Sequence, residues 1–112
     1  MALSARKLDR RIKFLRSAMV ENRLGEEVPG EPVEVAGAWA KYTAVSDGEK
    51  FRAGKSEVSY SARFVVRWSA DIASVLHTDL IQFDGVDYEI KGIKEIERRR
   101  WVEFTAGGAN GN

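Results

Sequence analysis

The chain has 112 residues, of which 44% are hydrophobic and 31% charged, the proportions of one folded domain with a single core. Its 18 basic and 17 acidic residues leave a net charge of +1, which argues against a dedicated nucleic-acid binder with the usual basic excess. The absence of cysteine excludes disulfides, thiol chemistry and cysteine-ligated zinc.

No apolar run approaches the roughly 20 residues of a membrane span. The opening "MALSARKLDRR" lacks the apolar segment of a signal peptide, so the expectation is a soluble protein kept inside a cell. Residues 1–8 read as a flexible basic arm. In "RRIKFLRSAM", Ile12 and Phe14 alternate with Arg11 and Lys13, the pattern of a half-buried strand. "ENRLGEEVPGEP", residues 21–32, carries both prolines and reads as a loop. "VEVAGAWAKYTAV", residues 33–45, is rich in strand formers, and Gly37 is the expected site of a bulge. The polar stretch from Ser46 to Glu57 is expected to be a loop, far longer than the two to five or so residues a hairpin turn needs. "VSYSARFVVRWS" follows, with Val58, Tyr60, Ala62, Phe64, Val66 and Trp68 at every second position and Val65 the one apolar exception. A strand that long, on the order of 36 Å, must bend or serve two sheets. Residues 69–79 form a short helical turn or a loop.

"DLIQFDGVDYEIKGI" predicts a hairpin around Asp84-Gly85, because both turn positions tolerate positive φ. That register sets Phe83 opposite Val86 and Ile81 opposite Tyr88. A final strand, "RRWVEFT", separates Trp101, Glu103 and Thr105 from Val102 and Phe104. The glycine-rich end, residues 106–112, reads as disordered. The whole is a single all-β domain over 1–112: a small antiparallel barrel or sandwich of about six strands, with a long inter-strand loop and little helix.

Chemistry is scarce. His77 is the one histidine, stands in a predicted loop, and is read as a surface or satisfied residue. Asp87 and Glu89 share a polar strand face with Lys91, and Asp84 is explained by its turn. No catalytic residue, cofactor site or metal site is assigned. A small hydrolase would have only His77 and scattered carboxylates to work with. The basic runs at 5–16 and 97–101 are either solvated faces or contacts for nucleic acid or an acidic partner. Trp39 and Trp101 are either core or interface residues, and Arg98, Arg99 and Arg100 accompany Trp101 as interface candidates. A monomeric nucleic-acid-binding barrel of the oligonucleotide-binding type is the alternative. It would pair Arg63 and Arg67 with Trp101 or Trp39 as stacking platforms.

The order of the pieces, over roughly residues 8–105, resembles the bacteriophage head–tail joining proteins, also called head-completion or stopper proteins. The resemblance is carried by the "LDRRIKF" strand, the acidic Pro/Gly loop, "GAWAKYTAVSDGEKF", the strand ending "FVVRWS", and "IQFDGVDYEIKGI". It implies a structural connector without enzymatic activity, made in the bacterial host cytoplasm and then part of a virion or a phage-like gene transfer agent. It also implies a homo-oligomeric ring, a hexamer or dodecamer. The ring would sit below portal and adaptor proteins, meet a tail terminator protein, and surround packaged double-stranded DNA, with no membrane partner. In such a ring the loop containing Asp47, Gly48, Glu49, Lys50, Phe51, Arg52, Gly54 and Lys55 would line and gate the channel.

Overall fold

Alternation along the first strand does what it predicts. In β1 (Arg10–Arg16), Ile12 and Phe14 are fully buried while Arg11 and Lys13 face outward. The computed structural model describes residues 7–46, 49–52, 55–58 and 61–108, and between 45 and 58 the description is of the backbone. The chain continues through β2 (Met19–Glu21), β3 (Glu27–Pro29), β4 (Val33–Ser46), β5 (Glu49–Arg52), β6 (Lys55–Val58) and β7 (Ser61–Arg67). A one-turn helix, α1 (Ala70–Ala73), precedes β8 (Leu80–Phe83), β9 (Val86–Ile96) and β10 (Trp101–Gly108).

Six strands close into an antiparallel barrel in the order β1-β4-β7-β10-β9-β8, with β8 returning to pair with β1. The inward faces supply the core: Ile12, Phe14, Ala40, Phe64, Val66, Ile81 and Phe104 are buried with Tyr88 and Ile90. Aromatic rings fill much of it. Phe14 packs against Phe104 at 4.9 Å between centroids, and Phe64 touches Tyr42, Phe83 and Tyr88. Burial pushes the Tyr88 phenol above its ordinary range. Val65 is buried as well, on the outward face between Lys41 and Glu103.

Two segments expected as loops contain paired strands. Within 21–32, β3 pairs with β2 as a small hairpin, because Asn22 organises the turn: its side-chain oxygen accepts from the Leu24 and Glu26 amides at 2.9 and 3.0 Å, and Gly25 takes φ +79°. Within Ser46–Glu57, β5 pairs with β6 from Glu49–Val58 to Arg52–Lys55. A polar stretch of that length satisfies its backbone by pairing with itself. The segment read as one long strand from Val58 therefore serves two sheets, β6 in this hairpin and β7 in the barrel. Tyr60 lies outside the described residues, and the description does not reach the side chain of Val58.

Two further readings change, and the segment after β7 takes the helical one of its two readings. The bulge falls beside Val35, opposite Phe14/Leu15, and Gly37 pairs in register with Lys13. The glycine-rich end is ordered as far as Gly108: Ala106 and Gly107 pair with β7 on one side and β9 on the other, and this two-sided ladder overrides glycine's weak strand preference. Residues 109–112 and residues 1–6 of the basic arm lie outside the described residues. Residues 69–79 resolve as α1, capped by the Ser69 hydroxyl accepting from the Ile72 amide, with Ile72 and Val75 in the core. The hairpin turn stands as expected, with φ +54° at Asp84 and +77° at Gly85, and both predicted cross-strand pairs form.

The segment after α1 is clipped to β1 by a buried carboxylate. Asp79, 1% exposed, accepts from Arg16 Nε and Nη2, each at 2.9 Å, and from the Leu76 amide at 2.8 Å. Arg16 also donates to the Ser74 carbonyl at 3.1 Å.

Candidate functional site

Cross-strand register builds a row of alternating cations and indoles on the outside of the barrel. Arg11 on β1 stands opposite Trp39 on β4, and Arg67 on β7 stands opposite Trp101 on β10. The Ala40–Val66 pair sets Trp39 beside Arg67, so four adjacent strands read Arg, Trp, Arg, Trp. Each arginine covers a ring: the Arg11 guanidinium carbon is 5.7 Å from the Trp39 centroid, and that of Arg67 is 5.6 Å from Trp101. Gly37 makes room for the first pair. A Cβ there would meet Arg11 Nη2 at 2.8 Å and Glu34 Oε2 at 3.0 Å.

The two indoles differ in what they offer a partner. Trp39 is 54% exposed, whereas Trp101 is 4% exposed and covered within its own chain. Trp101 therefore presents little surface as an interface residue or stacking platform, and Arg67 is what a partner would meet there. Arg63 lies four residues from Arg67 on the same exposed face of β7. Beside the row is a cleft of about 400 Å3 lined by Leu8, Arg11, Trp39, Arg67, Trp68 and Ile72, among others.

The turn joining β9 to β10 borders this surface. Glu97, Arg98 and Arg99 all have positive φ, at +56°, +36° and +61°. Three consecutive non-glycine residues in that region carry strain, on the order of 1–2 kcal/mol each. Several contacts hold the turn. The Arg99 amide donates to Glu95 Oε2 at 3.0 Å, the Trp68 amide donates to the Arg100 carbonyl at 2.9 Å, and the Arg99 guanidinium lies 5.6 Å from the Trp68 ring. Arg98, Arg99 and Arg100 are all exposed. The structure thus places the 98–100 turn where β7 ends and β10 begins, linked to the cleft through Arg99 on Trp68, while Trp39 stands mid-strand on β4.

The acid–base candidates do not gather. His77 is exposed in the segment after α1. Asp87 accepts from Gln82 Nε2 at 3.4 Å, and Glu89 pairs with Lys91 at 2.9 Å on the solvated face. Among the described residues no three His, Asp or Glu side chains come together as a metal site. Of the residues proposed to line a channel, Asp47, Gly48 and Gly54 lie outside the described residues. For Glu49, Lys50, Phe51, Arg52 and Lys55 the backbone places them in the β5–β6 hairpin. Sequence reasoning did not single out Arg11, Gly37 or Trp68 for this surface. Their partners are set by cross-strand register, and only the outward phase of Arg11 is legible along its own strand.

The sequence model of the phage head completion proteins matches residues 3–108. The chain belongs to that family. A chain from the virion of a native gene transfer agent particle has the same fold, with a TM-score of 0.60 at 20% identity, over 88% of this chain and 92% of that one. A Shigella flexneri 2a protein of known solution structure aligns with a TM-score of 0.67 at 17% identity, over 96% of this chain and 98% of that one. No curated protein matches the sequence. A head completion protein is a structural part of a phage head and not a member of an enzyme family.

Proposed function

We propose that this head completion protein is a connector of a tailed phage or phage-like particle. It forms a homo-oligomeric ring beneath the portal and adaptor proteins, closes the DNA-filled head, and provides the surface on which the tail terminator protein docks. It is made in the host cytoplasm and then joins the particle. The family match across residues 3–108 carries this reading, since it spans the barrel and both hairpins. The β5–β6 hairpin between β4 and β7 is the candidate channel element. The mixed charges of the 46–57 stretch, Asp47, Glu49, Lys50, Arg52, Lys55 and Glu57, nearly cancel, which suits an element that must neither trap DNA nor repel it entirely.

The test is complementation of particles made without the chain. Restoring the wild-type chain should restore DNA-filled, tailed particles. A chain with residues 48–54 replaced by a short turn should melt near wild type, because the barrel is built by other strands, yet leave heads that lose DNA or lack tails. Particles that hold DNA and carry tails without the protein would end the connector reading. Fully normal particles with the shortened chain would end the channel role alone.

A further inference from the structure

Two patches on this chain are chemical complements. The β2–β3 hairpin and the residues that follow it carry Glu21, Glu26, Glu27 and Glu31 against a single Arg23. The same segment exposes Met19, Val20, Leu24 and Val33, with Leu24 at 81%. The other patch is the arginine–tryptophan row, where Arg11 and Arg67 flank exposed Trp39 and its cleft and Arg99 lies over Trp68 at the cleft wall. Among the described residues, Leu76 is the one large exposed apolar side chain outside these two patches. Concentrated apolar exposure flanked by charge marks an interaction surface.

The hairpin tip is held in one shape. Asn22 anchors the turn through its side chain, and its backbone amide donates to the Glu26 carbonyl at 2.9 Å. Leu24 is thereby presented outward at little ordering cost. It does not reach the row of its own chain. The row crosses β1 at Arg11, five residues before the strand ends at Arg16, a separation of roughly 16 Å before the hairpin extends further. The two patches share no residue, so each is free to engage a different molecule.

We infer that a second copy of this chain is the occupant: the Leu24 tip of one subunit enters the cleft beside Trp39 of the next, with the hairpin glutamates facing Arg11 and Arg67. The contact joins unlike surfaces, so it is head-to-tail and propagates until a rotation closes it. The inference rests on the ring reading and names the surfaces that would build it.

Native cysteine is absent, so introduced thiols are unambiguous. The full chain carrying Leu24→Cys and Lys41→Cys is treated with a flexible bis-maleimide, both concentrated in solution and within particles. A ladder extending beyond dimer is expected. Either single-cysteine chain should stop at dimer and give little of it. Adding Arg11→Glu and Arg67→Glu, both on the exposed face, should reduce the ladder at least tenfold while the melting temperature stays within a few degrees. Four results overturn the inference. They are no ladder in either setting, a ladder indifferent to charge reversal, abundant dimer from Leu24→Cys alone, or capture of a different virion protein by Cys-substituted position 24. Particles that hold DNA and carry tails yet give no ladder would remove this interface and leave the connector reading intact.

Discussion

Replacing Phe64 by alanine probes the barrel where it has least room to adjust. Phe64 is fully buried and meets Tyr42, Phe83 and Tyr88 at centroid distances of 5.5, 5.6 and 5.4 Å. A buried Phe→Ala change costs about 3–5 kcal/mol. The site belongs near the upper end, because β7 is laddered on both sides, to Tyr42 on β4 and Phe104 on β10, and a closed barrel resists collapse into the cavity. Against a total stability of about 5–15 kcal/mol, that loss is a third or more of what holds a typical domain together. At roughly 4 °C per kcal/mol for a chain of this size, melting should fall by about 15–20 °C. Urea unfolding followed by tryptophan fluorescence gives the free energy directly, and an unchanged m-value shows that the unfolded state is the same. Arg63→Ala, at the adjacent outward position, is the control and should shift stability by no more than about 0.5 kcal/mol. A Phe64→Ala loss below about 1 kcal/mol at constant m would refute the inward register of β7.

Gly85→Val should cost about 1–3 kcal/mol from backbone strain at φ +77°; nothing lies within 4 Å of an added Cβ, so a near-unchanged melt would mean that the turn relaxes freely. Arg98→Gly should raise stability by about 1 kcal/mol by relieving one left-handed residue, and a lower melting temperature would show that the turn is not strained there. Asp79→Asn tests the clip through pH. Two bonds from Arg16 hold the Asp79 carboxyl below its usual range against the cost of burial, and the Leu76 amide adds a third. Its folded pKa is lowered, so the contribution is full above the unfolded value of about 3.9 and fades as pH falls through the folded value. Wild type should therefore be more stable than Asp79→Asn at neutral pH, with the gap narrowing in acid. A gap independent of pH down to acid unfolding would show that the carboxylate charge contributes nothing.

What the sequence disclosed and what it hid follow one physical line. Alternation reports which way a strand faces, so Ile12, Phe14, Phe64, Val66, Val102 and Phe104 were legible as core. The Asp84-Gly85 turn fixed its own register because two positive-φ residues leave little choice. Partners across non-consecutive strands were hidden. Nothing in the order of residues brings Arg11 to Trp39 or Arg67 to Trp101, and nothing reveals that Arg67 would cover Trp101. The clip between Arg16 and Asp79 spans 63 positions and carries no local signal. The hairpin of β2 and β3 was masked by its prolines and glycines, although Asn22 and Gly25 are the residues such a turn requires. The long polar stretch announced its length but not its pairing, because a run of mostly charged and polar residues has no apolar period to detect.

Closure of the sheet has a consequence for a structural protein of a phage head. An open β-sheet ends in strands whose amides and carbonyls can recruit another molecule, and crowding turns that into fibres or tangled aggregates. Here β8 returns to β1, so every strand of the barrel has a neighbour on both sides. Among the described residues, one-sided stretches remain where β4 before Ala40 overhangs β7 and where β9 beyond Glu89 overhangs β8. Strands with a neighbour on one side alone are those of the two appended hairpins, which run three residues in β2 and β3 and four in β5 and β6. Edges that short hold too few hydrogen bonds to zip chains together. Closure therefore shifts contact between copies toward side chains. Side-chain contacts can be fitted, weakened or reversed one residue at a time, whereas backbone pairing accepts almost any neighbour.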